Sequence, residues 1–226
     1  DFSFVALPFR GSSGATATIT AVHQNVDGNL FITGSFTGID ENKLSGVARL
    51  NSSLIPNPPI YDFDGDTRSD LGVYRPSSGA WYLQQSTAGF SALSFGNTTD
   101  RITPADFDGD GKTDVAVYRP ESGTWYWLNS SNGAFNAAQF GSAEDLPMPS
   151  DYDGDSRAGL TVFRPSNGVW YRLNSSNASF EAVAFGLSDD KPTLGDFDGD
   201  EKADIGVFRP SNGAWYRLNS SNGQFV

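Results

Sequence analysis

The 226-residue chain contains no cysteine and only one histidine, His23. Without cysteine there is neither a disulfide nor a thiolate zinc site. With one histidine and no Ser-His-Asp neighbourhood, hydrolytic and redox catalysis lack their usual parts, and the chain is expected not to be an enzyme. No apolar run approaches the ~18–20 residues that span a bilayer, so direct membrane insertion is not expected. A basic stripe is also missing, which argues against a nucleic-acid partner, and there is no glycine-rich loop to cradle a phosphate. Missing disulfides do not by themselves place a protein in the cytosol. The chain opens at Asp1 rather than Met, from which a removed leader or longer N-terminal region is expected.

What is present is acid, and it is concentrated. An Asp-x-Asp-Gly-Asp phrase occurs four times, beginning at Asp62, Asp106, Asp151 and Asp196. Fifteen of the 27 acidic residues sit at positions 1, 3, 5 and 9 of these phrases. The formal net charge of −12 is therefore local rather than that of an acidic tail. Calcium takes six to eight oxygens from carboxylates, carbonyls and water, and carboxylates at positions 1, 3 and 5 of a curled loop can all turn inward. The candidate ligands are Asp62, Asp64, Asp66 and Asp70; Asp106, Asp108, Asp110 and Asp114; Asp151, Asp153 and Asp155; and Asp196, Asp198, Asp200 and Asp204. Position 7 is always basic (Arg68, Lys112, Arg157, Lys202) and is expected to offer its carbonyl while its side chain points away. Gly at position 4 permits the sharp curl.

The third phrase has Gly159 where the others close on Asp, so a weaker or wetter site is expected there. An EF-hand is excluded, because it needs a bidentate Glu at position 12 and this chain has Val73, Val117, Val162 and Val207. Three to four Ca²⁺ ions are expected, and four would bring the formal charge to about −4. Substituting Asp114 or Asp204 by Ala is expected to lower the melting temperature in calcium and to matter little in chelator.

The phrases start 44 or 45 residues apart, and each is followed by strand-like segments. Around the second phrase these are 102–106, 115–120, 124–129 and 134–141, separated by a Pro-x-x-Gly turn and an Asn-Gly hairpin. Four short antiparallel strands every 45 residues are the pattern of a propeller blade. The reading is an all-β propeller of four-stranded blades at 58–101, 102–146, 147–191 and 192–226, with residues 1–57 a divergent fifth. Trp81, Trp125, Trp170 and Trp215 recur once per blade and are expected to pack between blades. Arg75, Arg119, Arg164 and Arg209 also recur, and are expected to pair with loop carboxylates or stack on Trp. Because the last repeat stops at Val226, residues 2–9 are expected to supply its fourth strand, in the same molecule or a neighbouring one. Asn51, Asn97, Asn129, Asn174, Asn177 and Asn219 lie in N-x-Ser/Thr sequons that turn chemistry already explains.

These residues resemble the FG-GAP (VCBS) repeat family over about 58–226, on Asp-x-Asp-x-Asp-x-x-x-Asp followed by an apolar strand and Arg-Pro. Residues 25–51 more weakly resemble a delta-sixty-type propeller repeat. The resemblance implies that the matching aspartates bind calcium in the loop joining a blade's first two strands. It also implies a secreted or cell-surface protein of bacterial type. A non-enzymatic adhesion or assembly module is expected, with a protein or glycan ligand or further copies of itself as partner. A lectin propeller and a fibre subunit joined by the N-terminal strand are the alternatives.

Overall fold

The computed structural model describes residues 9–10, 18–24, 30–35, 38–39, 47–50 and 61–226. Among them there is no helix, and every regular element is a β-strand. Two compact units divide the chain, Asp1–Ile55 and Pro56–Val226. In the first, β1 (Phe9–Arg10) pairs with β4 (Gly38–Ile39). Strands β2 (Thr18–Gln24), β3 (Leu30–Ser35) and β5 (Val47–Leu50) form an antiparallel sheet in that order. The strand expected at residues 2–9 falls almost entirely outside the described residues.

The second unit is the repeat. Its first sheet is β6 (Leu71–Arg75), β7 (Ala80–Gln85) and β8 (Gly89–Ser94). The next is β9 (Arg101–Ile102), β10 (Val115–Arg119), β11 (Thr124–Leu128) and β12 (Phe135–Gln139). The third is β13 (Leu146–Pro147), β14 (Leu160–Arg164), β15 (Val169–Leu173) and β16 (Phe180–Ala184). The last is β17 (Lys191–Gly195), β18 (Asp204–Arg209) and β19 (Ala214–Leu218), with a fourth strand only begun by a Leu218–Phe225 bridge. Neighbouring strands in each sheet are antiparallel and consecutive in sequence, as in propeller blades. In the three blades whose first strand is described, the long loop between the first two strands carries an acidic phrase. The wider spacing there follows from the excess of Asp and Gly over β-formers.

Blades are joined by one repeated contact. In each blade an aromatic of the second strand faces the tryptophan of the third, in pairs Tyr74–Trp81, Tyr118–Trp125, Phe163–Trp170 and Phe208–Trp215. Trp81 clusters with Val115 and Val117 of the following blade. Trp125 does the same with Leu160 and Val162, and Trp170 with Ile205 and Val207. The indole N–H of each is satisfied by the carbonyl of Phe95, Phe140 or Phe185 at 2.8–2.9 Å. Burying an indole of about 200 Å² at ~25 cal/mol per Å² contributes up to about 5 kcal/mol. These three tryptophans pack between blades as expected. Trp215 has no following blade among the described residues to pack against, and is 67% exposed.

The recurring arginines have a different partner from the one expected. Arg119, Arg164 and Arg209 form two-pronged ion pairs with Asp100, Asp145 and Asp190, each 19 residues earlier and outside the acidic phrases. Those aspartate side chains are fully buried. Each also accepts the backbone N–H three residues before it, from Asn97, Ser142 or Leu187. The guanidinium of each arginine lies over Tyr126, Tyr171 or Tyr216 at 4.5–4.6 Å, not over Trp. Planar delocalised charge suits both the fork and the ring face. The Arg209 guanidinium holds the Asp190 carboxyl below the usual carboxylate range.

Candidate metal centre

Each acidic loop is built by its first aspartate. Asp106 accepts the N–H of Gly109 at 2.6 Å and of Gly111 at 2.8 Å, which forces the chain to curl around its own carboxylate. Asp62, Asp151 and Asp196 accept the corresponding N–H groups of positions 4 and 6. Asp and Asn make such local side-chain-to-backbone turns readily.

Positions 3 and 5 face a second element, the turn after each blade's third strand. Asp108 accepts from Ser131 at 2.5 Å, and Asp110 from Ser130 at 2.9 Å. In the fourth loop Asp198 accepts from Ser221 and Asp200 from Ser220. In the first loop Ser86 and Thr87 both donate to Asp66, and these hydroxyls hold its carboxyl below the usual range. The Ser-Ser-Asn turns that read as sequons are thus a wall of the loop.

Position 9 is a clamp. Asp114 is fully buried and accepts the N–H of Phe107 at 2.8 Å on one oxygen and of Ser130 at 2.6 Å on the other. Asp204 and Asp70 repeat both bonds, with Phe197 and Ser220, and with Phe63 and Ser86. Burial pushes the Asp114 carboxyl up to about 6, against those donors, and the charge of Asp108 adds to the rise. Its removal therefore takes the acceptor from the N–H groups of Phe107 and Ser130 whatever ion is bound, so Asp114→Ala is expected to matter in chelator as well as in calcium.

In the third loop a Cβ on Gly159 would stand 2.9 Å from the Leu173 carbonyl. No carboxylate fits there without a backbone shift. The Ser175 hydroxyl takes up the slack, reaching Asp153, Asp155 and the Arg157 carbonyl.

Three carboxylates converge in every loop, with ligand atoms within 4.8 Å of one another. The sets are Asp62, Asp64 and Asp66; Asp106, Asp108 and Asp114; Asp151, Asp153 and Asp155; and Asp196, Asp198 and Asp204. Asp70 lies outside the first set, as do Asp110 and Asp200 outside theirs. This all-oxygen donor set suits a hard cation. Asp198 Oδ1 is moreover buried with no hydrogen-bond partner, the kind of orphan a cation satisfies. The residues therefore fit calcium.

Successive loops touch. Thr113, Ala158 and Ala203 donate their N–H groups to the carbonyls of Asp62, Asp106 and Asp151 in the preceding loop, at 2.6–2.7 Å. The side chains of Lys112, Arg157 and Lys202 lie across Gly65, Gly109 and Gly154, so closely that a Cβ there would meet them at 2.8 Å. The basic residue of one loop thus sits against the acid cluster of the one before it. Arg68 has no such partner loop among the described residues.

Residues 62–117 match the family model of the FG-GAP-like repeat. This stretch is similar to an FG-GAP-like repeat. The later blades repeat the loop and strand register of this stretch, and the last also repeats its clamp at Asp204. No curated protein matches the chain. Among solved structures, it is similar to a catalytically inactive virginiamycin B lyase from Staphylococcus aureus with quinupristin, at 10% identity over 98% of this chain and 73% of that one, TM-score 0.48. TolB from Acinetobacter baumannii is similar at 18% identity over 90% and 55% of the two chains, TM-score 0.47. The WD40 domain of coronin from Toxoplasma gondii gives 11% identity over 90% and 53%, TM-score 0.42. What places the FG-GAP-like repeat in a propeller blade is the sheet order and the blade-to-blade packing above.

Proposed function

We propose that the chain is a non-enzymatic, calcium-stabilised propeller module of a secreted or cell-surface protein, working in adhesion or assembly. The observation that carries this reading is the recurrence of a three-carboxylate cluster at the same place in four successive blades. Asp62, Asp64 and Asp66 would hold one ion, with the three corresponding sets for the others. A bound cation would supply charge that lets the clustered carboxylates stand together ionised. The chain's own residues do the rest. Position 1 curls the loop, positions 3 and 5 reach the serine turn, and in three of the loops an aspartate at position 9 ties both to the strand.

Calcium loops of extracellular modules bind at ~10⁻⁴–10⁻³ M. At ~1 mM calcium, a site of ~0.1 mM affinity stabilises the folded chain by about 1.4 kcal/mol. Three to four sites together raise the melting temperature by on the order of 10 °C. Calorimetry in calcium and in chelator tests this, alongside metal analysis of the purified chain. Three to four equivalents of calcium and a clear fall in chelator are expected; an unchanged melting temperature defeats the reading.

A lectin is the second reading. Shallow clefts of about 200 Å³ recur between blades, one lined by Phe95, Gly96, Val117, Arg119, Tyr126 and Phe135. The equivalent residues line another near Phe185 and Phe225. Saccharide binding on a glycan array favours it, and silence across the array leaves protein ligands or further copies of the chain as the partner.

A further inference from the structure

From the second acidic loop onward, each loop shares one peptide unit with the loop before it. The carbonyl of position 7, expected to face the loop's own ion, lies in one rigid plane with the N–H of position 8. That N–H, from Thr113, Ala158 or Ala203, donates to the carbonyl of position 1 in the preceding loop, on Asp62, Asp106 or Asp151, at 2.6–2.7 Å. Each of these three aspartates also belongs to its own loop's acid cluster. A trans peptide points its C=O opposite to its N–H, so anchoring the N–H on one loop aims the carbonyl in the next. The third loop shows where it aims. There the Ser175 hydroxyl lies 3.1 Å from the Arg157 carbonyl, 2.9 Å from Asp155 and 3.3 Å from Asp153. Positions 3, 5 and 7 thus converge within one loop while the far side of the same peptide is held by its neighbour.

We infer that adjacent loops bind calcium cooperatively, each filled loop raising the affinity of its neighbour through the peptide that joins positions 7 and 8. The inference rests on the calcium reading above and adds to it a regulation of the sites. A cation on the position 7 carbonyl polarises the peptide and strengthens its N–H as a donor to the preceding loop. In the other direction, a cation among Asp62, Asp64 and Asp66 fixes position 1, and with it the acceptor that orients the peptide of the second loop. Such coupling is reciprocal, and its ordinary size is about fivefold in affinity or more. Repulsion between the ions opposes it, but is largely screened beyond ~8 Å in ~0.15 M salt. The contact joins only consecutive loops, so the effect is greatest on the nearest loop and fades along the row.

Gly65, Gly109, Gly154 and Gly199 place one such amide in each loop, so a calcium titration followed by amide NMR reads the sites separately. The full chain is titrated in ~0.15 M salt and again in ~1 M, where screening reaches ~3 Å. It is compared with Asp64→Asn/Asp66→Asn, which removes two carboxylates of the first cluster and touches neither the Asp62 carbonyl nor the second loop. In this variant the Gly65 response is expected to be lost, the Gly109 midpoint to rise about fivefold or more, and the Gly199 midpoint to change least. The rise is expected to persist in ~1 M salt, which separates it from the loss of two charges. Asp198→Asn/Asp200→Asn is the mirror experiment, with Gly154 most affected and Gly65 least, and it decides the matter should the first variant fail to fold. A neighbouring midpoint that stays put overturns the inference and leaves the calcium reading standing. So does one that falls, which means that repulsion between ions dominates. An equal rise at all remaining loops, or one that vanishes in ~1 M salt, overturns it too. Glycine amides of the parent chain that never respond to calcium overturn the reading and the inference together.

Discussion

In the loop that begins at Asp106 the ninth residue is Asp114, whereas in the loop that begins at Asp151 it is Gly159. The two phrases share the aspartates at positions 1, 3 and 5, with a first aspartate that curls the chain and serines that close over positions 3 and 5. The second loop is fastened to its strand by a buried carboxylate holding two backbone N–H groups. The third packs so tightly against Leu173 that this carboxylate has no room, and a serine hydroxyl bridges the loop instead. A converging acid cluster therefore does not need the ninth aspartate. In the third loop it forms from positions 1, 3 and 5, and in the first it does so even with Asp70 present. Ligand supply and loop fastening are separable jobs, and the ninth residue is first of all a fastener.

The largest effect is expected when the second loop loses its clamp. Asp114→Ala removes two hydrogen bonds from backbone N–H groups to a carboxylate, those of Phe107 and Ser130, and should cost about 3–5 kcal/mol. Thermal melts should show that loss in chelator as well as in calcium. A loss confined to calcium would show that the residue acts only as a ligand, and the comparison would fail. The same substitution should also reduce the pH dependence of the second site, to which Asp106, likewise raised by burial, still contributes. The folded value of Asp114, about 6, lies above the ordinary 3.8, so this carboxyl favours the folded, metal-free chain at low pH. That contribution is lost as the pH rises from about 4 through 6. Calcium works against the retained proton, so apparent affinity at this site should weaken as the pH falls through 6, read by calorimetric titration.

Next in size are the arginine pairs, where the two blades should respond alike. Asp100→Ala and Asp145→Ala each strip a buried carboxylate from a guanidinium that is about a quarter exposed. Costs of about 2–4 kcal/mol are expected, between those of exposed and fully buried pairs. Equal losses would confine the difference between the blades to their loops. Arg75 marks the other limit. Pro56 stands 19 residues before it in place of an aspartate, and its side chain instead bonds the Tyr82 hydroxyl. Arg75→Ala should cost less than about 1 kcal/mol.

Much of this architecture was legible in the chain. The 45-residue period and the alternation in segments such as Val115–Arg119 gave the strands and the blade, because local pattern and tertiary pairing agree there. The acidic loops were legible because positions 1, 3, 5 and 9 lie within a single turn of backbone. What escaped was non-local or conformational. Asp100, Asp145 and Asp190 recur at the same 45-residue period as their arginines, but they sit 19 residues earlier in the turn before the first strand, and only the pairing of that strand with the second brings them together. The serines at 86, 130, 175 and 220 read as turn formers, and nothing local shows that they face an acidic loop some 20 residues earlier. Whether Trp215 is buried depends on the surface packed against it, which one blade's sequence cannot state.

Gly159 itself offers a smaller and sharper test. Gly159→Asp restores the pattern of the other loops on paper, but the new Cβ meets backbone at 2.9 Å. It should destabilise by about 1–3 kcal/mol, as overpacking does, and Gly159→Ala should cost nearly as much. Calcium stoichiometry should stay unchanged in both. A gain in affinity from the aspartate but not the alanine would show that the loop can open to accept a clamp, and that crowding does not explain its absence.

The smallest effect concerns position 6, where the two loops differ in strain. Every acidic loop holds this residue in the left-handed region, at φ 67° for Thr67, 82° for Gly111, 66° for Ser156 and 68° for Glu201. Only Gly111 occupies it without steric penalty. A non-glycine residue there costs about 1–2 kcal/mol, offset in part by the greater freedom that glycine loses on folding. Ser156→Gly should therefore stabilise by a few tenths to about 1 kcal/mol, and Gly111→Ser should cost about as much. No side chain crowds position 111, since a Cβ there meets nothing within 4 Å. Any loss in Gly111→Ser then reports backbone conformation alone. If exchanging these two residues left both melting temperatures unmoved, the left-handed turn would not be under strain. The curl would then be set entirely by the carboxylates of Asp106 and Asp151 holding the N–H groups of positions 4 and 6.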